Sequence, residues 1–150
     1  MKRKGRIMMI RKMQITDYEE AFALWNNAKG MGLRSLDDSE SGISRFLNRN
    51  PNTSFVVEIE SHIAGVILGG HDGRRGYIYH AVVAEPYRKN GIGKLMVNTL
   101  LQAFTEEGIN KVALVTFRSN LVGNTFWNSM GFEERPDLVY RNKSVNESNL

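Results

Sequence analysis

Arg88-Lys89-Asn90-Gly91-Ile92-Gly93-Lys94 is the stretch on which the reading of this 150-residue chain turns. A run of strand formers, Tyr77 to Val83, stands before it, and the most regular helical pattern in the chain, Gly93 to Glu107, follows. In that pattern Val97, Leu100, Leu101 and Phe104 recur at i, i+3, i+4 and i+7, and Gly108 supplies a C-terminal stop. Two glycines one residue apart let the backbone turn sharply and let a ligand come close. The N–H groups at the helix start then converge on one spot, where the helix dipole favours negative charge. Lys94 opposes that dipole in an empty helix but complements a bound phosphate. A P-loop is excluded, because Arg88 and Leu95 stand where it needs glycine and Ser or Thr. A Rossmann fingerprint is excluded by Met96 and by the strands that come earlier in the chain. On these residues alone, a phosphate site and a plain glycine-rich strand-to-helix turn both stay open.

Outward from this turn the chain alternates strands and helices without repeats or linkers. Upstream, Ile7 to Met13 reads as a strand and Thr16-Asp17-Tyr18-Glu19 as a capping box. The box opens a helix with Phe22, Trp25 and Ala28 on one side. A loop covers Gly30 to Asp38. A second helix starts near Ser39, carries Ile43, Phe46 and Leu47, and stops before Pro51. Phe55, Val57 and Ile59 alternate as in a half-buried strand. Glu60-Ser61-His62 is short enough for a hairpin turn, Ile63 to Leu68 is a central strand, and Gly69 to Gly76 is a loop. Downstream, Val112 to Phe117 is a strand. Asn120 caps a helix bearing Val122, Phe126 and Met130, which Gly131 ends. Phe132 to Glu134 and Leu138 to Arg141 are expected to pair as strands. The domain plan is a basic extension 1–6, one domain 7–143, and a polar, loosely held tail 144–150.

Composition narrows the class. Hydrophobic residues make up 41% and charged residues 24%, enough apolar material for one core and against disorder as the main state. The absence of cysteine rules out a disulfide framework, a thiolate metal site and a cysteine nucleophile; no metal ligand set is expected. No long apolar stretch follows the basic start, so we expect no signal peptide, no membrane association and a cytoplasmic location. The net charge of +4 admits either a nucleic-acid face or attraction of a polyanionic small molecule. Much of it sits in the first twelve residues, and no basic helix with interleaved aromatics appears, so nucleic acid is not expected as a partner.

Two motifs carry a resemblance. Val83-x-x-x-Tyr87-Arg88-Lys89-Asn90-Gly91-Ile92-Gly93 is similar to the acetyl-CoA signature of the Gcn5-related N-acetyltransferases (GNAT), Arg/Gln-x-x-Gly-x-Gly/Ala. Asn120-x-x-Gly123-x-x-Phe126-Trp127-x-x-x-Gly131-Phe132 resembles the last helix of that family. The likeness spans about residues 7 to 142, and Gly69-Gly70-His71-Asp72-Gly73 resembles a small bacterial subgroup, the YpeA-like acetyltransferases. The implied fold is α/β (α+β): a mixed, mostly antiparallel central sheet with helices on both faces, in the order β-α-α-β-β-β-α-β-α-β-β. The implied activity is transfer of an acetyl group from acetyl-CoA to a primary amine by direct attack. Homodimers are common in such families.

The resemblance also assigns roles. The CoA pyrophosphate is expected on the backbone from Arg88 through Lys89, Asn90, Gly91, Ile92 and Gly93 to Lys94. A bulge is expected around Val82 and Val83, with the strand splaying from Val112 to Phe117 so that the pantetheine arm adds like a strand in the gap. A backbone N–H near Val83 would polarise the thioester carbonyl. Asn120 would touch the pantetheine arm or serve only as a cap, and Phe126 and Trp127 would flank the cofactor. Trp127 stands where relatives carry a phenol acid, and its indole cannot serve as one. For proton acceptance the candidates are Tyr77, Tyr79 and His80 on the strand before the turn. Alternation places Tyr77 and Tyr79 on one face and His80 with Ile78 on the other. His80 has the right intrinsic pKa for a base but equally suits a satisfied histidine under a helix. Arg34, in the loop 30–38, is the candidate acceptor-binding residue. A non-catalytic acyl-CoA-binding module on the same fold is the competing function.

Overall fold

The computed structural model describes residues 7–150; the basic extension 1–6 lies outside the described residues. Five strands form one sheet in chain order: β1 (Met8–Lys12), β2 (Phe55–Ile59), β3 (His62–His71), β4 (Gly76–Val83) and β5 (Val112–Ala113). The first three pairings are antiparallel, and β4 pairs with β5 in parallel. Helices α1 (Tyr18–Asn27) and α2 (Glu40–Arg49) precede β2, α3 (Ile92–Glu106) joins β4 to β5, and α4 (Leu121–Ser129) follows.

The helices divide between the two faces of the sheet, as the apolar side chains require. Met96, Val97, Leu100 and Phe104 of α3 pack on Val57, Ile67 and Ile78, with Phe126, Trp127 and Met130 of α4 beside them. On the opposite face Ala21 and Trp25 of α1 and Ile43 and Leu47 of α2 cover Val56, Val66, Leu68 and Val82. β3 lies in the middle and is buried on both faces over most of its length.

β3 runs three residues beyond the expected end at Leu68, taking in Gly69, Gly70 and His71. The segment reads as a loop from its glycines, but the tertiary structure uses them for close approach. A Cβ on Gly69 would stand 2.6 Å from Leu100 Cδ1 and from the Thr53 carbonyl, and one on Gly70 would stand 2.8 Å from Phe46. The hairpin between β2 and β3 is as short as expected, with Glu60 (φ 52°) and Ser61 (φ 65°) both left-handed. Such a two-residue turn matches the twist of the strands it joins.

Three expectations are corrected. First, α1 opens not on Thr16 and Glu19 but after a single 3₁₀ turn, Ile15–Asp17, where Asp17 accepts the Gln14 N–H at 2.9 Å. Arg11 on β1 grips the same carboxylate through two bonds of 2.8 Å and so ties the first strand to the first helix. Second, β5 is only two residues long, and neither 132–134 nor 138–141 forms a strand. Leu138, Val139 and Tyr140 are exposed, so nothing buries the apolar side that would hold them in a sheet. Third, Val122 faces solvent, and α4 buries itself through Phe126, Trp127 and Met130 instead.

Two stability outcomes follow. Leu100 is fully buried at the centre of the α3 face, and Leu100→Ala should cost about 3 kcal/mol in chemical denaturation. Burial raises the Asp17 carboxyl, but the Arg11 and Gln14 bonds outweigh it and hold the group below its ordinary 3.8. A depressed carboxylate stabilises above its unfolded pKa, and that contribution is lost as pH falls through the folded value. Asp17→Asn should therefore destabilise at neutral pH, with the difference from the native chain shrinking on acidification below the ordinary aspartate range.

Candidate active site

The strand-to-helix turn has the geometry of an anion cradle. Lys89 (φ 65°) and Gly91 (φ 77°) are left-handed, and Gly91 is the N-cap of α3. The hydrogen-bond ladder of α3 begins at Leu95 N–H to the Gly91 carbonyl, 3.0 Å. The amides of Ile92, Gly93 and Lys94 precede it and lie outside the ladder, at the positive end of the helix dipole. Asn90 Nδ2 donates to the Tyr87 and Arg88 carbonyls, both at 3.1 Å, and fixes the loop before the helix. The two glycines serve different needs. Around Gly91 a Cβ would meet nothing within 4 Å, so conformation alone favours glycine there; a Cβ on Gly93 would lie 3.2 Å from Phe126 Cζ.

Beside the cradle the sheet opens. The β4–β5 ladder consists of Gly76–Val112 and Tyr77–Ala113, so among the described residues β4 from Ile78 to Val83 has a free edge on that side. Ala84 N–H bonds the Ala64 carbonyl at 2.8 Å, and Val83 lies opposite Gly65. In an antiparallel ladder hydrogen-bonded and non-bonded pairs alternate, so the Val83 N–H and C=O point away from β3 into the gap. The C=O accepts from Arg88 Nε at 3.0 Å, which tethers the signature arginine back onto β4. The strands splay on the side that the resemblance implied. The bulge is not where it was expected: it lies at Tyr79–His80, where two residues of β4 face Leu68 alone.

That bulge redistributes the candidate base residues. Simple alternation puts His80 under α3 with Ile78, but one extra residue shifts the phase. Ile78, Ala81 and Val83 face α3, while Tyr79 and His80 both face α1 and α2. Tyr79 packs edge-on to Phe46 at 5.4 Å and against Tyr77 at 4.7 Å between ring centroids; His80 lies 5.1 Å from the Trp25 ring. Tyr77, Tyr79 and His80 therefore come together on one face. Burial raises both phenols above their ordinary 10.0, with Tyr140 nearby adding to the shift, so they stay protonated at neutral pH and cannot act as bases.

His80 has a partner that no motif advertised. Its Nε2 lies 2.6 Å from Asp38 Oδ1, and Asp38 is itself buried. The other carboxylate oxygen accepts the Arg34 N–H at 2.6 Å, and Tyr18 Oη donates to the Asp38 carbonyl at 2.7 Å. An Nε2–H donated to the carboxylate leaves the lone pair on Nδ1. Trp25, against this histidine, has a buried Nε1–H without a partner among the described residues. Arg34 is exposed and lines a cavity of about 450 Å³ with Tyr18, Phe22, Leu33 and Asp38. It joins the site through its backbone rather than through its guanidinium.

Two cofactor-side expectations acquire structural roles. The Asn120 side chain accepts Gly123 N–H at 3.0 Å, so it is committed to capping α4. Trp127 is wedged between Phe126 and Phe132 at 5.0 and 5.2 Å and belongs to the packing of α4 on α3. The sequence reading gave no site role to Asp38, Trp25, Tyr18 or Tyr140. Asp38, just before the Ser39 N-cap, carried no signal beyond being a carboxylate in the acceptor-side loop.

With this geometry in hand, known proteins give a consistent answer. The model of the acetyltransferase (GNAT) family matches residues 14–132. The chain belongs to that family. An acetyltransferase of Sodalis glossinidius is 29% identical over 140 residues, covering 93% of this chain and 97% of that one. One of Yersinia pseudotuberculosis is 33% identical over 132 residues, covering 88% and 92%. Among solved structures, the aminoglycoside N-acetyltransferase AAC(6')-Iy in complex with CoA superposes with a TM-score of 0.74 at 19% identity, covering 95% of this chain and 99% of that one. The ribosomal-protein-S18-alanine N-acetyltransferase of Escherichia coli gives 0.72 at 18% identity, covering 86% and 79%. These two share the fold with this GNAT N-acetyltransferase.

Gly91→Ala isolates the turn's conformation, since the added methyl has open space. It should lower stability by about 1 kcal/mol, the strain of a left-handed non-glycine residue, read from the denaturant midpoint.

Proposed function

We propose that this chain transfers an acetyl group from acetyl-CoA to a primary amine by direct attack. The observation that carries this reading is the open edge of β4 from Ile78 to Val83, followed along the chain by the amides of Ile92, Gly93 and Lys94 at the start of α3. Acetyl-CoA is the donor: its pyrophosphate suits the cradle from Arg88 to Lys94, and its pantetheine amides suit the unpaired edge as an added strand. AAC(6')-Iy, which has the same fold, was solved in complex with CoA, which supports CoA as the group bound. Val82 stands opposite Val66 in the position bonded to β3, so Val83 is the residue with backbone groups on the open edge.

In the reaction the amine lone pair attacks the thioester carbon. A C–N bond forms, the C–S bond breaks, and CoA thiolate departs. The Val83 N–H is positioned to stabilise the carbonyl oxygen as negative charge develops. An alkylammonium must first lose a proton to become a nucleophile. His80 is our choice of acceptor for it, oriented by Asp38, while Tyr77 and Tyr79 shape the amine's approach as neutral phenols. On becoming an amide the nitrogen sheds a second proton, which water relays to the departing thiolate, since Trp127 is packed and cannot supply one.

Calorimetry with acetyl-CoA tests the donor site. Gly91→Glu places a carboxylate in the open space of the cradle and should abolish binding, while Gly91→Ala should retain it. Undiminished binding by Gly91→Glu would remove the cradle from the mechanism. Once an amine acceptor is in hand, His80→Gln should lower kcat by about 100-fold and leave acetyl-CoA affinity unchanged.

A further inference from the structure

The tail was expected to be loosely held, yet residues 148–150 are bound to the loop that carries Asp38. The Ser35 N–H donates to the Leu150 carbonyl at 2.7 Å, and the Leu150 N–H returns a bond to Ser35 Oγ at 2.8 Å. The same hydroxyl donates to the Ser148 carbonyl at 3.0 Å. Asn149 is held by its carboxamide: Oδ1 accepts the Leu36 and Asp37 amides at 3.0 and 3.1 Å, and Nδ2 donates to Asp37 Oδ2 at 2.7 Å. It is the one half-buried residue of 144–149, among exposed neighbours. Leu150 lines the same cavity as Tyr18, Arg34 and Asp38.

The chemistry of this contact is that of peptide recognition. The loop offers a donor and an acceptor to successive backbone groups, and a socket that satisfies both ends of a primary carboxamide at once. A small polyamine or sugar has no backbone to meet Ser35. The socket is built on Leu36 and Asp37, immediately before the Asp38 that orients His80, so whatever fills it lies beside the candidate base.

We propose that the loop 34–38 is a docking site for an extended polypeptide segment presenting an asparagine-like carboxamide. The chain's own residues 148–150 fill it in this structure, and the acceptor amine is delivered on a polypeptide that displaces them. The last part rests on the acetyl-transfer reading and on His80 marking the acceptor side; the docking site stands without either. The tail is then an intramolecular competitor for acceptor polypeptides.

The test releases the tail and refills the socket. In ¹⁵N–¹H spectra, Asn149→Ala should move the Leu36 and Asp37 amide resonances. Adding the synthetic peptide Ser-Val-Asn-Glu-Ser-Asn-Leu, the sequence of residues 144–150, should restore them saturably. Native chain should bind that peptide at least about tenfold more weakly, because its socket is filled, and a peptide carrying Asn149→Ala should not bind. Asn149→Asp, which sets a like charge against the Asp37 carboxylate, provides a second release variant should the first perturb the loop. In an acceptor panel, Asn149→Ala should lower KM for polypeptide amines and leave small amines unchanged. Amides that do not move, a peptide that fails to bind the released chain, or KM values for small and polypeptide amines that rise together would overturn the proposal; the last would make the tail a fixed wall of the pocket. Acetyl-CoA titration runs in parallel: its failure would remove the acetyl-transfer reading, while the peptide titration would still judge the docking site.

Discussion

One extra residue in β4 governs the geometry of the site. Where Tyr79 and His80 together face Leu68, the strand loses its phase and regains it at Ala81. Without the bulge, His80 would enter the apolar layer beneath α3, where a titratable ring has no partner and a high desolvation cost. With it, His80 meets Asp38 and Trp25, while Ala81 and Val83 return to α3 and keep the cradle side packed. Bulges next to active sites commonly re-aim a side chain in this way. The neighbouring splay follows from the same strand: the ladder to β5 ends at Tyr77, just before the bulge begins.

The two halves of the site are supported by opposite faces of the sheet. The cradle depends on α3, whose burial through Met96, Val97, Leu100 and Phe104 fixes the direction of its N-terminal amides. The histidine pair depends on α1, α2 and the loop between them, which Arg11, Tyr18 and the tail all help to hold. α3 approaches β3 closely because Gly65 and Gly69 have no side chains: a Cβ at either would meet Met96 or Leu100 inside 3 Å. Those glycines belong to the packing of the layer rather than to a turn. His71 at the end of the same strand contacts Glu107 through Nε2 and accepts Gly73 N–H on Nδ1, which ties the β3–β4 hairpin to the end of α3.

The loop between α1 and α2 carries more than its sequence suggests. Asp38 satisfies His80 on one side and the Arg34 N–H on the other, and its own carbonyl takes the Tyr18 hydroxyl. Gly42 has to be small for the loop to sit there at all, since a Cβ on it would lie 2.3 Å from the Leu36 carbonyl. A segment without regular structure is thus held by buried polar bonds from three directions. Such satisfied networks fix one conformation more firmly than apolar contact does.

By itself, the sequence determined whatever depends on local pattern. The period of 3.6 in Val97 to Phe104, the two glycines of the turn, the caps at Ser39 and Asn120 and the stop at Gly108 are all found as written. They place the cradle, because a helix start and its dipole are properties of a few consecutive residues. Tertiary structure alone decided what depends on which chains meet. It turned Gly69 and Gly70 from loop into strand and kept 132–141 out of the sheet. It moved the bulge from Val82–Val83 to Tyr79–His80, joined His80 to a carboxylate 42 residues away, and seated Asn149 on a loop 112 residues distant. A one-residue shift in phase reverses which face a side chain meets. Nothing in Tyr77 to Val83 encodes that shift, because it arises from the fit of β4 between β3 and the helices on either side.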